Sequence, residues 1–297
     1  MSRAARAVAA FLFLASGCGG PPAGAPASPP ESAPSRIVSM SPALTEILFA
    51  LGLGDRVVGV TKYCDWPPEA RRLPKIGGFV DPSVEAVVAL SPDLALVSPA
   101  AGNREAALAI RRLGIRLEVV PCETLAEAYD AIQRVASVCG VQARGRALSG
   151  ALRARIEATA ARVRRDTPVP TLFCVQLEPL VAAGTGTLPS EILELAGGRN
   201  IVREPRYPRI GIESVLAAGP EAIIVARMDS QDAGGPGRVL DFWKRWSSIP
   251  AVGNERVFVI DATTALRAGP RVAEAVEGLA ALLHPRIEPR SAGGGKS

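Results

Sequence analysis

The chain contains a single histidine, His284, among 297 residues. Zinc and manganese are held by clusters of His, Asp and Glu, so one histidine argues against a transition-metal site. It also leaves no second imidazole to serve a nucleophile, and there is no Gly-x-Ser-x-Gly elbow. No Gly-x-Gly-x-x-Gly follows a strand pattern, and no Walker motif occurs. Together these gaps point away from an enzyme. The Gly184-Thr-Gly-Thr187 stretch is a weak match to a phosphate cradle and reads as a loop. Long runs of Lys or Arg are missing too. The formal charge is +5, and two of the 34 basic residues, Arg3 and Arg6, lie in a segment expected to be removed. That leaves 32 basic residues against 29 acidic, a balance too even to favour nucleic acid. Beyond the leader, no apolar stretch is long enough to span a bilayer. Aromatics are only 4% of the chain, so their positions are informative.

What is present begins with an address. Arg3 and Arg6 precede the apolar run Ala7 to Ala15, which is too short for a membrane span and ends in small residues. This is the pattern of a signal peptide over 1–17. Its ending, Leu14-Ala15-Ser16-Gly17-Cys18, resembles a bacterial lipobox, which makes Cys18 the expected lipidation site. Residues 18–35 are rich in Pro, Ala, Gly and Ser and cannot build a core; they form a tether with a reach of about 50 Å. The Gly-rich end, 288–297, reads as disordered. The expected location is therefore the periplasmic face of a bacterial membrane, held by a lipid anchor.

Between these ends, short β-rich runs alternate with helical patterns, which predicts parallel sheets covered on both faces. Strands are expected at Arg36 to Met40, Val57 to Thr61, Leu94 to Val97 and Leu117 to Val120, and again at Thr171 to Gln176, Ala222 to Val225 and Val257 to Ile260. Ser41 and Pro42 are placed to open the first helix. An internal echo relates the two halves. Val84 to Asp93 leads into Leu94 to Val97, and Ile212 to Glu221 leads into Ala222 to Val225. Both carry an aliphatic residue, a Glu, a short apolar helix, a Pro and an acidic residue, at a gapless offset. Between the halves, Leu148, Leu152, Ile156, Ala160 and Val163 recur at helical spacing without an internal proline, predicting a stiff helix about 35 Å long. The reading is an α/β chain of two Rossmann-like lobes, 36–140 and 167–287, joined by a rigid helix over 141–166, with a ligand cleft between the carboxyl ends of their strands. Cys64, Cys122, Cys139 and Cys174 show no metal spacing. One pair could form a disulfide in an oxidising compartment, or Cys139 and Cys174, set among apolar neighbours, could simply be buried small hydrophobes.

Several stretches carry a resemblance: Arg36-Ile-Val-Ser-Met-Ser-Pro-Ala-Leu-Thr-Glu46, Lys62-Tyr-Cys-Asp-Trp-Pro-Pro-Glu69, Gly77-Gly-Phe-Val-Asp-Pro-Ser-Val-Glu85 and Arg267-Ala-Gly-Pro-Arg271. They are similar to the helical-backbone class of substrate-binding proteins that serve ABC importers of cobalamin, haem and ferric siderophores. The second and fourth stretches look most like cobalamin binders. The resemblance implies a corrinoid as transported ligand, no cofactor of the protein's own, no catalysis, and action as a monomer. It implies ring-stacking roles for Tyr63, Phe79 and Tyr207, with Pro42 at the cleft floor, Asp65 and Trp66 beside the ligand, and Arg267 donating to ligand amides or phosphate. It also implies that Glu85 and Glu213, one at the same point of each lobe, dock onto a two-fold permease. Two aromatic positions of cobalamin-binding members are occupied here by Ser98 and by the Gln176-Leu177 region, implying a more polar pocket. Trp243 and Trp246 lie on an amphipathic helix and read as core or rim. A haem binder is the nearest rival, with Tyr63 as axial ligand, because His284 ends the last helix away from the cleft. A ferric-siderophore binder would want several cleft arginines, and Arg209 and Arg267 are the two candidates.

Overall fold

The computed structural model describes residues 33–227 and 235–285. The leader, Cys18, most of the tether and the glycine-rich tail lie outside the described residues.

The first lobe carries a four-stranded parallel sheet of β1 (Ile37–Ser39), β2 (Val57–Val60), β3 (Leu94–Val97) and β4 (Leu117–Val119), in the order β2-β1-β3-β4. All residues of β1 and β3 are buried, as continuous apolar runs between two helical layers must be. Around the sheet stand α1 (Pro42–Ala50), α2 (Val84–Ala89), α3 (Arg104–Arg112) and α4 (Leu125–Val138). Pro42 does open α1, but the Ser41 side chain makes no capping bond. Capping is instead seen at Ser83 on α2 and at Thr124 on α4, where Glu127 completes a reciprocal box.

The expected connecting helix is α5 (Gln142–Val163). Its stripe buries Leu152, Ile156 and Val163 against α4 and against α11 (Val272–Leu283). Gly145 sits where α4 crosses: an added Cβ would collide with the Ala136 Cβ.

The second lobe holds β5 (Val169–Gln176), β8 (Ala222–Arg227) and β9 (Val257–Asp261) in parallel, with the antiparallel β6 (Val181–Ala182) and the short parallel β7 (Gly198–Asn200) both on β5. Its helices are α6 (Leu188–Leu195), α7 (Ile212–Ala218), α8 (Gly235–Lys244), α9 (Pro250–Gly253), α10 (Ala262–Ala265) and α11. The internal echo maps onto α2 leading into β3 and α7 leading into β8, the equivalent steps of the two sheets. At the end of the Gly184 to Thr187 stretch, Thr187 caps α6, accepting from the Ser190 N–H. Trp243 is fully buried, as core.

Each sheet has an outer core of its own, around Val38, Ile76 and Val97 in one lobe and around Leu172, Val225 and Trp243 in the other. The largest core is shared. It runs from Ile37, Leu44 and Leu96 through Ile132 and Ile156 to Phe173, Ile192 and Leu279. The four cysteines among the described residues, Cys64, Cys122, Cys139 and Cys174, are free and buried, which favours the reading as small hydrophobes.

Candidate functional site

Parallel strands present their carboxyl ends to the same side, and among the described residues the segments after β1, β2, β3, β5 and β9 leave from those ends. Pro42 follows β1 and is half-buried. Tyr63, Asp65 and Trp66 follow β2, where Tyr63 is 37% and Trp66 43% exposed. Phe79 is half-buried at the tip of the Gly77 to Pro82 loop. From the second lobe, Tyr207 is 46% exposed on a loop laced to the Gly184 segment. There Gly184 N–H donates to the Arg206 carbonyl at 2.8 Å, and Thr185 N–H to Glu204 at 3.0 Å. A side chain at Gly184 would strike the Glu204 carbonyl, so this glycine is required by a close backbone approach. The stretch that resembled a phosphate cradle is the support of the Tyr207 loop.

Arg267, on the loop between α10 and α11, crosses to the first lobe. Its Nη1 donates to Asp65 Oδ1 at 2.6 Å and reaches Glu46 Oε1 at 3.3 Å, while Nη2 donates to the Tyr63 carbonyl at 3.1 Å. Arg271 grips Glu46 with two bonds, Nε to Oε2 at 2.9 Å and Nη2 to Oε1 at 2.6 Å. The Trp66 ring lies over the Arg271 guanidinium, 4.9 Å from centre to carbon. Asp65 and Trp66 are thus engaged by arginines of the opposite lobe. Burial alone would push the Asp65 carboxyl up, but the bond and charge of Arg267, with the charge of Arg271 behind it, bring it below its ordinary value. For Arg271, burial works against the charge and Glu46 outweighs it, holding the guanidinium more firmly protonated.

Further bonds join the lobes at this level. The Cys122 thiol donates to the Ala268 carbonyl at 2.6 Å, and the Leu125 N–H donates to Glu191 at 2.8 Å. Cys64 lies beneath Tyr63, 3.1 Å from the hydroxyls of both Thr45 and Thr61. Burial raises its pKa against those bonds.

Three residues matter here that sequence reasoning left without a role. Glu46 and Arg271 close two of the quoted stretches, yet nothing along the chain pairs them. Asn103 is buried and donates to the carbonyls of Phe79 and Ser98, at 3.2 and 3.0 Å, fixing the Phe79 loop to the end of β3. Beside the arginine cluster, at the carboxyl ends of β5, β8 and β9, is a cavity of about 680 Å³ lined by Gln176, Leu177, Phe242, Arg245 and Leu266. The polar Gln176 region therefore does face open space. His284 is remote: it is buried at the end of α11, its Nε2 3.2 Å from the Gly197 carbonyl and its Nδ1 3.5 Å from Asp166. Both partners precede their strands, at the edge of the sheet away from the cleft. Glu85 and Glu213 are exposed in the first turns of α2 and α7. The Ser83 hydroxyl donates to Glu85 at 2.9 Å.

Comparison with known proteins agrees with this architecture. The chain is 31% identical over 246 residues to the vitamin B12-binding protein of Vibrio cholerae, covering 82% of this chain and 86% of the relative. The crystal structure of the periplasmic vitamin B12-binding protein BtuF of Vibrio cholerae superposes with a TM-score of 0.72 at 30% identity, over 84% of this chain and 96% of that one. The periplasmic haem-binding protein RhuT from Roseiflexus sp. RS-1 superposes with a TM-score of 0.77, also at 30% identity, over 84% and 98%. Two sheets facing a common cleft, one connecting helix and a match of residues 37–264 to the family's model identify the chain as a member of the periplasmic binding protein family, whose members bind and do not catalyse.

Proposed function

We propose that the chain is the substrate-binding protein of an ABC importer and that it carries a corrinoid, cobalamin, to the permease dimer, tethered to the membrane through Cys18. The observation that carries this reading is the set of rings on loops of both lobes, exposed at Tyr63 and Tyr207 and half-buried at Phe79, together with an arginine–carboxylate network whose charges are paired. A corrin is large, flat and rimmed by amides, with one phosphate. It wants ring faces and a few donors, not a concentrated charge. A paired floor suits it better than it suits a multiply charged ferric siderophore. The relative in Vibrio cholerae named for vitamin B12 supports the same ligand class.

Haem is the second reading. It is favoured by the exposed phenol of Tyr63, a competent axial ligand, and by the likeness to a haem-binding structure. Calorimetric titration of the purified chain with cyanocobalamin and, in parallel, hemin separates the two. Tight one-to-one cobalamin binding with weak hemin binding is expected. A tight hemin complex that is lost on Tyr63→Phe, with no cobalamin binding, would keep the importer role and change the ligand.

A further inference from the structure

The two carboxylates at the cleft floor are held in different ways. Glu46 has a side chain only 2% exposed, and both of its oxygens are taken by Arg271. It has no route to water and no reason to let go. Asp65 lies on the loop after β2 with its side chain 43% exposed, and its one ion-pair partner among the described residues is Arg267. Turning Asp65 outward places its charge in solvent, where it is hydrated at little cost.

Arg267 is the reverse case. Its side chain is 11% exposed, so it cannot follow Asp65 into water. Without Asp65 it keeps the Tyr63 carbonyl and a 3.3 Å share of a Glu46 that Arg271 already saturates. One nearly buried guanidinium would then lack a full counter-charge, beside Tyr63 and Trp66, where a ligand arrives. Together Glu46, Asp65, Arg267 and Arg271 are neutral. Neutrality survives the departure of Asp65 only if another anion replaces it.

We infer that Asp65 is a built-in counter-ion that occupies the anion position of the cleft, and that an oxyanion of the incoming ligand displaces it from Arg267. The displacing group is a phosphodiester or a carboxylate, which matches the planar fork of a guanidinium as Asp65 does. Asp65 thereby sets a threshold: a ligand whose anion does not reach Arg267 gains nothing from the arginine. The inference rests on the reading that the cleft takes a large ring ligand with an anionic arm.

The test compares the wild-type chain with Asp65→Asn by calorimetry, using ligand pairs of which one member carries the anion and the other does not. Cyanocobalamin is set against dicyanocobinamide, which lacks the nucleotide phosphate, and hemin against its dimethyl ester. Asp65→Asn should bind the anionic member of the pair that binds about tenfold more tightly, with the neutral member unchanged. Equal or weaker binding of the anionic member, or the same gain for both, overturns the inference. A second measurement needs no ring ligand. Orthophosphate is titrated into ¹⁵N-labelled protein while the side-chain Nε–H signal of Arg267, assigned with Arg267→Lys, is followed. In Asp65→Asn it should move at lower phosphate than in the wild type; a signal that stays fixed in both proteins overturns the inference. If no ring ligand binds while phosphate moves Arg267, the ligand reading falls and the counter-ion role stands.

Discussion

Glu46 is the side chain at the floor that tolerates least change. It is buried in α1 and carries the charge that two arginines of the other lobe are built around. Glu46→Gln keeps its shape and strands those guanidiniums, so unfolding in urea should show a loss of about 3–5 kcal/mol, the usual consequence of breaking a buried pair from one side. Asp65 behaves differently with pH. Its carboxyl titrates below the ordinary value of 3.8, so its contribution is fully present above that value and is lost as pH falls through the folded-state value. The stability difference between the wild type and Asp65→Asn should be flat from about pH 8 to pH 5 and close only below about pH 4. The thiols make a third case. Burial raises Cys139 to about 11 and Cys122 to about 12, and raises Cys174 further, so iodoacetamide at neutral pH should leave all four thiols unmodified in the folded protein and alkylate all four in denaturant. Rapid labelling of the native state would contradict the burial described here. At this scale the sequence was half legible. Tyr63, Phe79 and Tyr207 stood out because rings are rare in this chain. Glu46 and Arg271 did not, because a pair 225 residues apart leaves no local trace.

Helix α5 shows how one element carries opposite demands. Gly150 is exposed with nothing within 4 Å of an added Cβ, whereas a Cβ at Gly145 would run into Ala136 of α4. Gly150→Ala should therefore raise stability by about 0.5–1 kcal/mol through helix propensity alone. Gly145→Ala should lower it by about 1–3 kcal/mol, because α4 and α5 must part to admit a methyl. Both are read from urea midpoints. A gain for Gly145→Ala would mean that the helix contact is looser than its spacing implies. The helix itself was legible: expected over 141–166, it runs from Gln142 to Val163, because its stripe is periodic and uninterrupted. The short elements were not. In β7 the residues Gly-Arg-Asn have no strand character, and the segment is held by pairing with β5 and by Asn200, which donates to the Ala183 carbonyl and the Ser190 hydroxyl at 2.9 Å each. Such contacts carry no period to detect. The same holds for the two-residue β6 and the four-residue α10.

Across the whole molecule, the shared core beneath the two sheets and the arginine ties above it leave little freedom for the lobes to part. Which face of each sheet turns toward its neighbour was not written in either half, so the sequence pointed to two lobes but not to their common core. It did point to their equivalence, and that equivalence has a consequence for docking. Glu85 and Glu213 stand at matching steps of the two lobes, each exposed at the start of a short helix. Glu85 is kept ionised by its own backbone N–H and by the Ser83 hydroxyl, which together hold its carboxyl below the ordinary range. Neither carboxylate takes part in the floor network, so reversing both should not alter what the cleft binds. The double variant Glu85→Arg, Glu213→Arg should keep the wild-type melting temperature and ligand affinity, yet reduce uptake by cells carrying the partner permease at least about tenfold, because it reverses both charges of the docking surface that the family resemblance implies. The single variants should fall between, since each reverses one of two equivalent charges. Loss of ligand affinity in the double variant would assign the glutamates to the cleft, and undiminished uptake would move the docking surface elsewhere on the lobes.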